Sequence, residues 1–208
     1  MINIETRYLE EEEAGRDKKP YIDFFYTLEE TFDFSKINSF IDVGCSDGHL
    51  LECIKSKYEN IHVSGIEYFS YHLKYASKNT ADSITIADIR KSLPHNFQNK
   101  QFDIVVCTEV GEHIDPEYCH QFLQNIKSLC KKNLVMTWSK HGGSNEPEKD
   151  PHHQHLNPLS LHQYIELVKS HGFILDKTKT NLIHEKASKC KNFFSWWKES
   201  LIIWENVN

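Results

Sequence analysis

Glu109-Val110-Gly111-Glu112-His113 brings two carboxylates and an imidazole into one short segment. Further along come His141 and the run Pro151-His152-His153-Gln154-His155. Carboxylate oxygens and imidazole nitrogens together suit a divalent ion. Two imidazoles shift the preference away from Mg²⁺ toward Mn²⁺, Fe²⁺, Co²⁺ or Zn²⁺. The ligand set expected on this basis is Glu109, Glu112, His113 and His155. Without a metal, His113 is the candidate general base, because imidazole titrates near neutral pH. A solvated polar loop accounts for the 152–155 histidines equally well. The other eight histidines, His49 and His72 among them, show no partner pattern and read as surface or helix positions.

A second group of residues could hold a ligand. Asp42-Val43-Gly44-Cys45-Ser46-Asp47-Gly48 stands where an apolar run gives way to an amphipathic one. Glycines at such a turn let the backbone approach a ligand closely, and the following helix offers unpaired N–H groups. A dinucleotide fingerprint would need glycines at 44, 46 and 49, but the chain has Ser46 and His49. No Gly-Lys-Ser/Thr phosphate loop occurs. Glu67 closes the next apolar run, and an acid there can accept both hydroxyls of a ribose.

These groups need a scaffold, and the hydropathy pattern supplies one. Near-continuous apolar runs at 39–43, 61–66, 83–87, 102–107 and 133–138 read as strands buried on both faces. Helical spacing marks 49–58, 117–130 and a segment from Leu161 to Val168, the last ended by His171-Gly172. Alternating strands and helices imply a parallel α/β sheet with right-handed crossovers. Two more strands are expected at 173–177 and 200–205. The aromatic-rich stretch between them reads as a packed connection without a helix, so the last strand runs antiparallel. The loop 139–158 is long for a compact domain, and such loops are usually functional.

Composition sets the outer bounds. The chain has 208 residues, 39% of them hydrophobic and 12% aromatic, enough for one domain with a sizeable core. Its net charge of -6 arises entirely within residues 1–34; the remainder is balanced. Arg7, Arg16 and Arg90 are the only arginines, so the residue best suited to forked phosphate recognition is scarce and a nucleic-acid duplex is a poor partner. Six cysteines with no Cys-x-x-Cys pair, several inside apolar runs, point to reduced thiols and a cytoplasmic location. No apolar run approaches the ~20 residues of a membrane span. Residues 1–34 are expected to form an N-terminal helical lid segment and 35–208 the main domain, with the acidic 10–13 run a solvated helix face.

With these residues in place, the chain resembles the class I S-adenosylmethionine-dependent methyltransferases over nearly its whole length. Asp42–Gly48 is similar to their glycine-rich first motif, with Ser46 where a glycine is commoner. Glu67 matches the ribose-binding acid, Ile86-Ala87-Asp88-Ile89 the adenine-holding segment, and Phe102–Glu109 the fourth-strand motif. The resemblance implies a Rossmann-like seven-stranded mixed sheet with helices on both faces and the last strand antiparallel. It implies cofactor contacts at Asp42, Gly44, Cys45, Ser46 and Gly48, at Glu67 and Tyr68, at Asp88 and Ile89, and at Thr108 and Glu109. The implied activity is methyl transfer from S-adenosylmethionine to the hydroxyl of a small sugar-like or phenolic molecule. The acid–histidine segment is also similar to metal-dependent RNA 3′-terminal ribose 2′-O-methyltransferases, which makes an RNA 3′ end the rival acceptor. The absence of arginine beyond position 90 departs from that group. A module that binds the cofactor without turnover is the other alternative.

Overall fold

The computed structural model describes residues 18–141 and 155–207. The 10–13 run, His152 and His153 lie outside the described residues. Seven strands form one sheet: β1 (Ser39–Val43), β2 (His62–Glu67), β3 (Ile84–Ile86), β4 (Phe102–Cys107), β5 (Cys130–Met136), β6 (Phe173–Leu175) and β7 (Ile202–Asn206). Their order is β3-β2-β1-β4-β5-β7-β6. The pairs among β1 to β5 are parallel, while β7 runs antiparallel to both of its neighbours.

The two-residue period of the strands divides the core between the faces of the sheet. Ile41, Val43, Val105, Cys107, Leu134, Met136 and Trp204 belong to one cluster, packed with Phe122 and Tyr164. Phe40, Ile104, Val106, Val135 and Ile203 belong to the other, with Phe24, Leu51 and Ile183. Helices α3 (Cys119–Leu129) and α4 (Leu161–Ser170) therefore cover the first face. Helices α1 (Lys19–Thr31), α2 (His49–Lys57) and α5 (Lys177–Ala187) cover the second. Helix α4 opens with a capping box between Ser160 and Gln163, and Gly172 follows its end at φ +79. The links from β2 to β3 and from β3 to β4 contain only 3-10 turns.

Two expectations need correction. The connection between β6 and β7 contains a helix, α5, which the pattern concealed because Lys177–Ala187 buries only Ile183 and Ala187. Asp176 starts it, its side chain accepting from the Lys179 amide at 2.8 Å. Strand β5 begins at Cys130 rather than 133: Cys130 pairs with Phe102 ahead of a register shift, and the amines of Lys131 and Lys132 reach the buried Asp103. Helix α1 buries Phe24, Phe25 and Leu28, so it is part of the second core as well as a cover. All six cysteines are free thiols. Among the described residues, no helix is long and apolar enough to cross a membrane.

Candidate active site

At the carboxyl ends of β1 to β4 lies a cavity of about 890 Å³. That is near the top of the roughly 300–1,000 Å³ range of small-molecule sites, and this is the edge at which such sheets bind ligands. Its floor is the turn after β1. The amides of Gly44 and Cys45 both donate to the Ile66 carbonyl, at 2.8 and 3.2 Å, which ties the turn to the end of β2. Gly44 and Gly48 have φ of +80 and +77, and Ser46 between them is also left-handed at φ +51. The Ser46 hydroxyl meets His72 Nδ1 at 3.1 Å. Gly48 is predicted to bind cofactor but does not line the cavity. It caps α2, and a Cβ there would come within 2.9 Å of Ile84 Cδ1.

Glu67 is buried, and its carboxylate accepts three backbone N–H groups: Ser46 at 2.8 Å, Tyr68 at 2.8 Å and Phe69 at 2.9 Å. Burial, reinforced by the charge of Glu67, pushes Asp42 up to about 8. Asp42 thus keeps its proton in the folded state at pH values where the unfolded chain, with a carboxyl pKa of ~3.9, has lost it. Stability therefore falls as pH rises between those values. D42N removes that decline, and its gain in melting temperature over the parent is expected to widen from pH 5 to pH 8. A difference independent of pH would contradict this. Asp88 is held below the usual range by Arg90, which grips it through Nε at 2.8 Å and Nη2 at 2.9 Å.

Beyond β4 the chain turns sharply. Glu109 takes φ +56, its amide donating to Thr137 Oγ1 at 2.9 Å and its carboxylate accepting from the same hydroxyl at 3.0 Å. Strained non-glycine residues concentrate at functional sites, and Ser46 and Glu109 both line this cavity. Glu112 is fully buried, with no well-formed hydrogen bond to either carboxylate oxygen; burial and the charge of Glu109 push it up to about 8. His113 and His155 meet edge to face with ring centroids 4.9 Å apart. His155 Nδ1 donates to the His141 carbonyl. One donor atom each from Glu112, His113 and His155 lie within 4.8 Å of one another. The predicted fourth ligand, Glu109, is not in this group, and one of its carboxylate oxygens accepts from Thr137 Oγ1.

Asp42, Gly44, Cys45, Ser46, Glu67, Tyr68, Asp88, Ile89, Thr108, Glu109, His113 and His155 all line the cavity, as expected from their places in the sequence. Tyr21, in the N-terminal segment expected as a lid, and Val110 line it too, while sequence reasoning misses His72, Arg90 and Tyr71 together with Phe194 and Trp197. His49 and His72 are buried, not surface positions: His49 Nε2 lies 3.2 Å from Asp47, and His72 meets Ser46. Their partners are not at helical spacing, so periodicity could not reveal them. The available signal was the aromatic density of Tyr68-Phe69-Ser70-Tyr71-His72 directly after Glu67.

A mixed sheet with a reversed seventh strand, a glycine turn after β1 and an acid ending β2 is the arrangement implied by the resemblance to class I S-adenosylmethionine-dependent methyltransferases. Residues 41–135 match the family model described as "Methyltransferase domain". A structure of an S-adenosylmethionine-dependent methyltransferase from Clostridium acetobutylicum superposes with a TM-score of 0.63 at 11% identity, covering 99% of this chain and 100% of that one. The plantazolicin methyltransferase BpumL in complex with SAH gives 0.63 at 14% identity, covering 99% and 89%. N-methyltransferase 4 of Papaver somniferum is 32% identical over 108 residues, 48% of this chain but only 26% of that protein's length. Residues 41–135, a little under half of the chain, are similar to that methyltransferase model, and the solved structures share the fold.

Proposed function

We propose that this protein transfers a methyl group from S-adenosylmethionine to a hydroxyl of a small molecule. The observation that carries the reading is that one cavity gathers the left-handed glycine turn, Glu67, Asp88 and His113. The residues fit the cofactor. The turn keeps side chains away from a ligand at Gly44, and Glu67 ends β2 where it would meet the ribose hydroxyls. Asp88 and Ile89 would hold the adenine, and Thr108 and Glu109 would lie beside the methyl group. Bound S-adenosylmethionine would supply a methyl already activated on a sulfonium, so the chain's contribution is alignment and exclusion of water. His113 takes the proton of the acceptor hydroxyl.

Calorimetry with S-adenosylmethionine and no acceptor tests the reading. E67A should weaken binding by ~10–150-fold, the ~1.5–3 kcal/mol of a charged hydrogen-bond partner. Unchanged affinity in the folded variant would remove Glu67 from the site.

The Glu112–His113–His155 group favours a second reading, in which a divalent ion polarises the acceptor hydroxyl. The buried carboxylate of Glu112 without a well-formed hydrogen bond is an acceptor that a cation would satisfy. On this reading dialysis against chelator abolishes transfer, and Mn²⁺ restores it better than Mg²⁺. Full activity in chelator leaves His113 as the sole base.

A further inference from the structure

We propose that the acceptor is a neutral, flat aromatic alcohol whose ring packs against Tyr21, Phe194 and Trp197; this rests on the methyl-transfer reading above. These three rings belong to opposite ends of the chain, yet they line the same cavity as His113 and His155. Tyr21 meets Phe194 edge to face at 5.5 Å, and Phe194 lies tilted against Trp197 at 4.3 Å. Phe24 braces Trp197 from the core side at 4.8 Å. Phe194 is half-buried and lines the cavity. Rings held this way offer faces and edges to another ring, which suits a flat aromatic better than a sugar.

Charge narrows the class further. Among the described lining residues Arg90 is the only arginine and no lysine occurs. Arg90 is committed to Asp88 through two hydrogen bonds and lies over the rings of Tyr68 and Tyr118. Glu67 and Glu109, both lining residues, would repel an acceptor phosphate, sulfonate or carboxylate. A cationic acceptor is disfavoured for the opposite reason, since it must approach a sulfonium. In the step itself the acceptor oxygen bonds to the methyl carbon as the carbon–sulfur bond breaks. The electron pair stays on sulfur, and the hydroxyl proton goes to His113.

The test is binding, read by calorimetry on protein saturated with SAH and repeated without it. Four probes are compared with 2-naphthol: its 6-sulfonate, 2-naphthylmethylamine, glucose and a short single-stranded RNA with a free 3′ end. The expected result is that 2-naphthol binds at least fivefold more tightly than each of the others. F194A should weaken 2-naphthol at least fivefold with SAH affinity unchanged, and F194Y should restore it. Tighter binding of either charged analogue, of glucose or of RNA overturns the proposal, as does full 2-naphthol affinity in F194A. Failure of SAH to bind overturns the cofactor reading instead. The naphthol series in unliganded protein still decides the aromatic subsite.

Discussion

G44V is expected to lose measurable affinity for S-adenosylmethionine, a fall of more than a hundredfold, while retaining a folded sheet of reduced stability. Two independent effects act at this position. Gly44 has φ +80, where an L-residue costs about 1–2 kcal/mol. A Cβ on Gly44 would also stand 2.3 Å from Val110 Cγ2, a distance that neither backbone turn can accept unchanged. Overpacking of that kind costs ~1–3 kcal/mol where the structure can adjust at all. The adjustment must move the turn after β1 or the segment after β4, and both line the cavity. G172A is the control: its φ is equally positive, but its nearest neighbour is the flexible Lys127 amine at 3.4 Å, remote from the site. It should lower stability modestly and leave affinity intact. Calorimetry and thermal unfolding of both variants check this; normal affinity in G44V would mean that the turn is not the cofactor cradle.

Removal of residues 1–32 is expected to abolish the cooperative fold. Helix α1 and the residue after it bury Phe24, Phe25, Leu28 and Phe32, each at 6% exposure or less. At ~1.5–3 kcal/mol for each large apolar side chain, their loss removes ~6–12 kcal/mol. Domains of this kind have only ~5–15 kcal/mol to lose. The truncation would also uncover Phe34, Phe193 and Trp197 and strip Tyr58 and Lys57 of their partner Glu29. A broad thermal transition and lost near-ultraviolet dichroism are the expected readouts. L28A probes the same packing in a chain of full length, with an expected loss of ~2–5 kcal/mol. A truncated chain that melts cooperatively near the parent's temperature would show that α1 only covers the site.

How far the chain could be read in advance depended on whether partners lie near each other in sequence. The bounds of β1 and β4 were legible because residues 39–43 and 102–107 are apolar runs buried on both faces. The reversed β7 was legible from the lack of an obvious crossover, although α5 occupies part of that stretch. Helix α5 was not legible, because a helix that rests on α1 and needs only Ile183 and Ala187 for its contact has almost no hydrophobic period. At the site, Glu67 and the turn could be read because their spacing is set by one strand–helix–strand unit. Partners from distant segments could not be. Thr137 donates to Glu109, His72 closes on Ser46, and Phe194 comes to rest against Tyr21.

The contact between α1 and the segment after α5 also determines when the site can exist. Asp23 accepts from the Asn192 amide at 2.7 Å across 169 residues of chain, and Phe24 rests on Trp197. During synthesis at ~5–20 residues per second, α1 leaves the ribosome roughly 10–30 s before its partners do. Over that interval Phe24 lacks Phe193 and Trp197, so the nascent chain exposes a hydrophobic helix that a holdase chaperone would bind. The cavity lacks Phe194 and Trp197 until that segment is released, and competence to bind ligand follows its release.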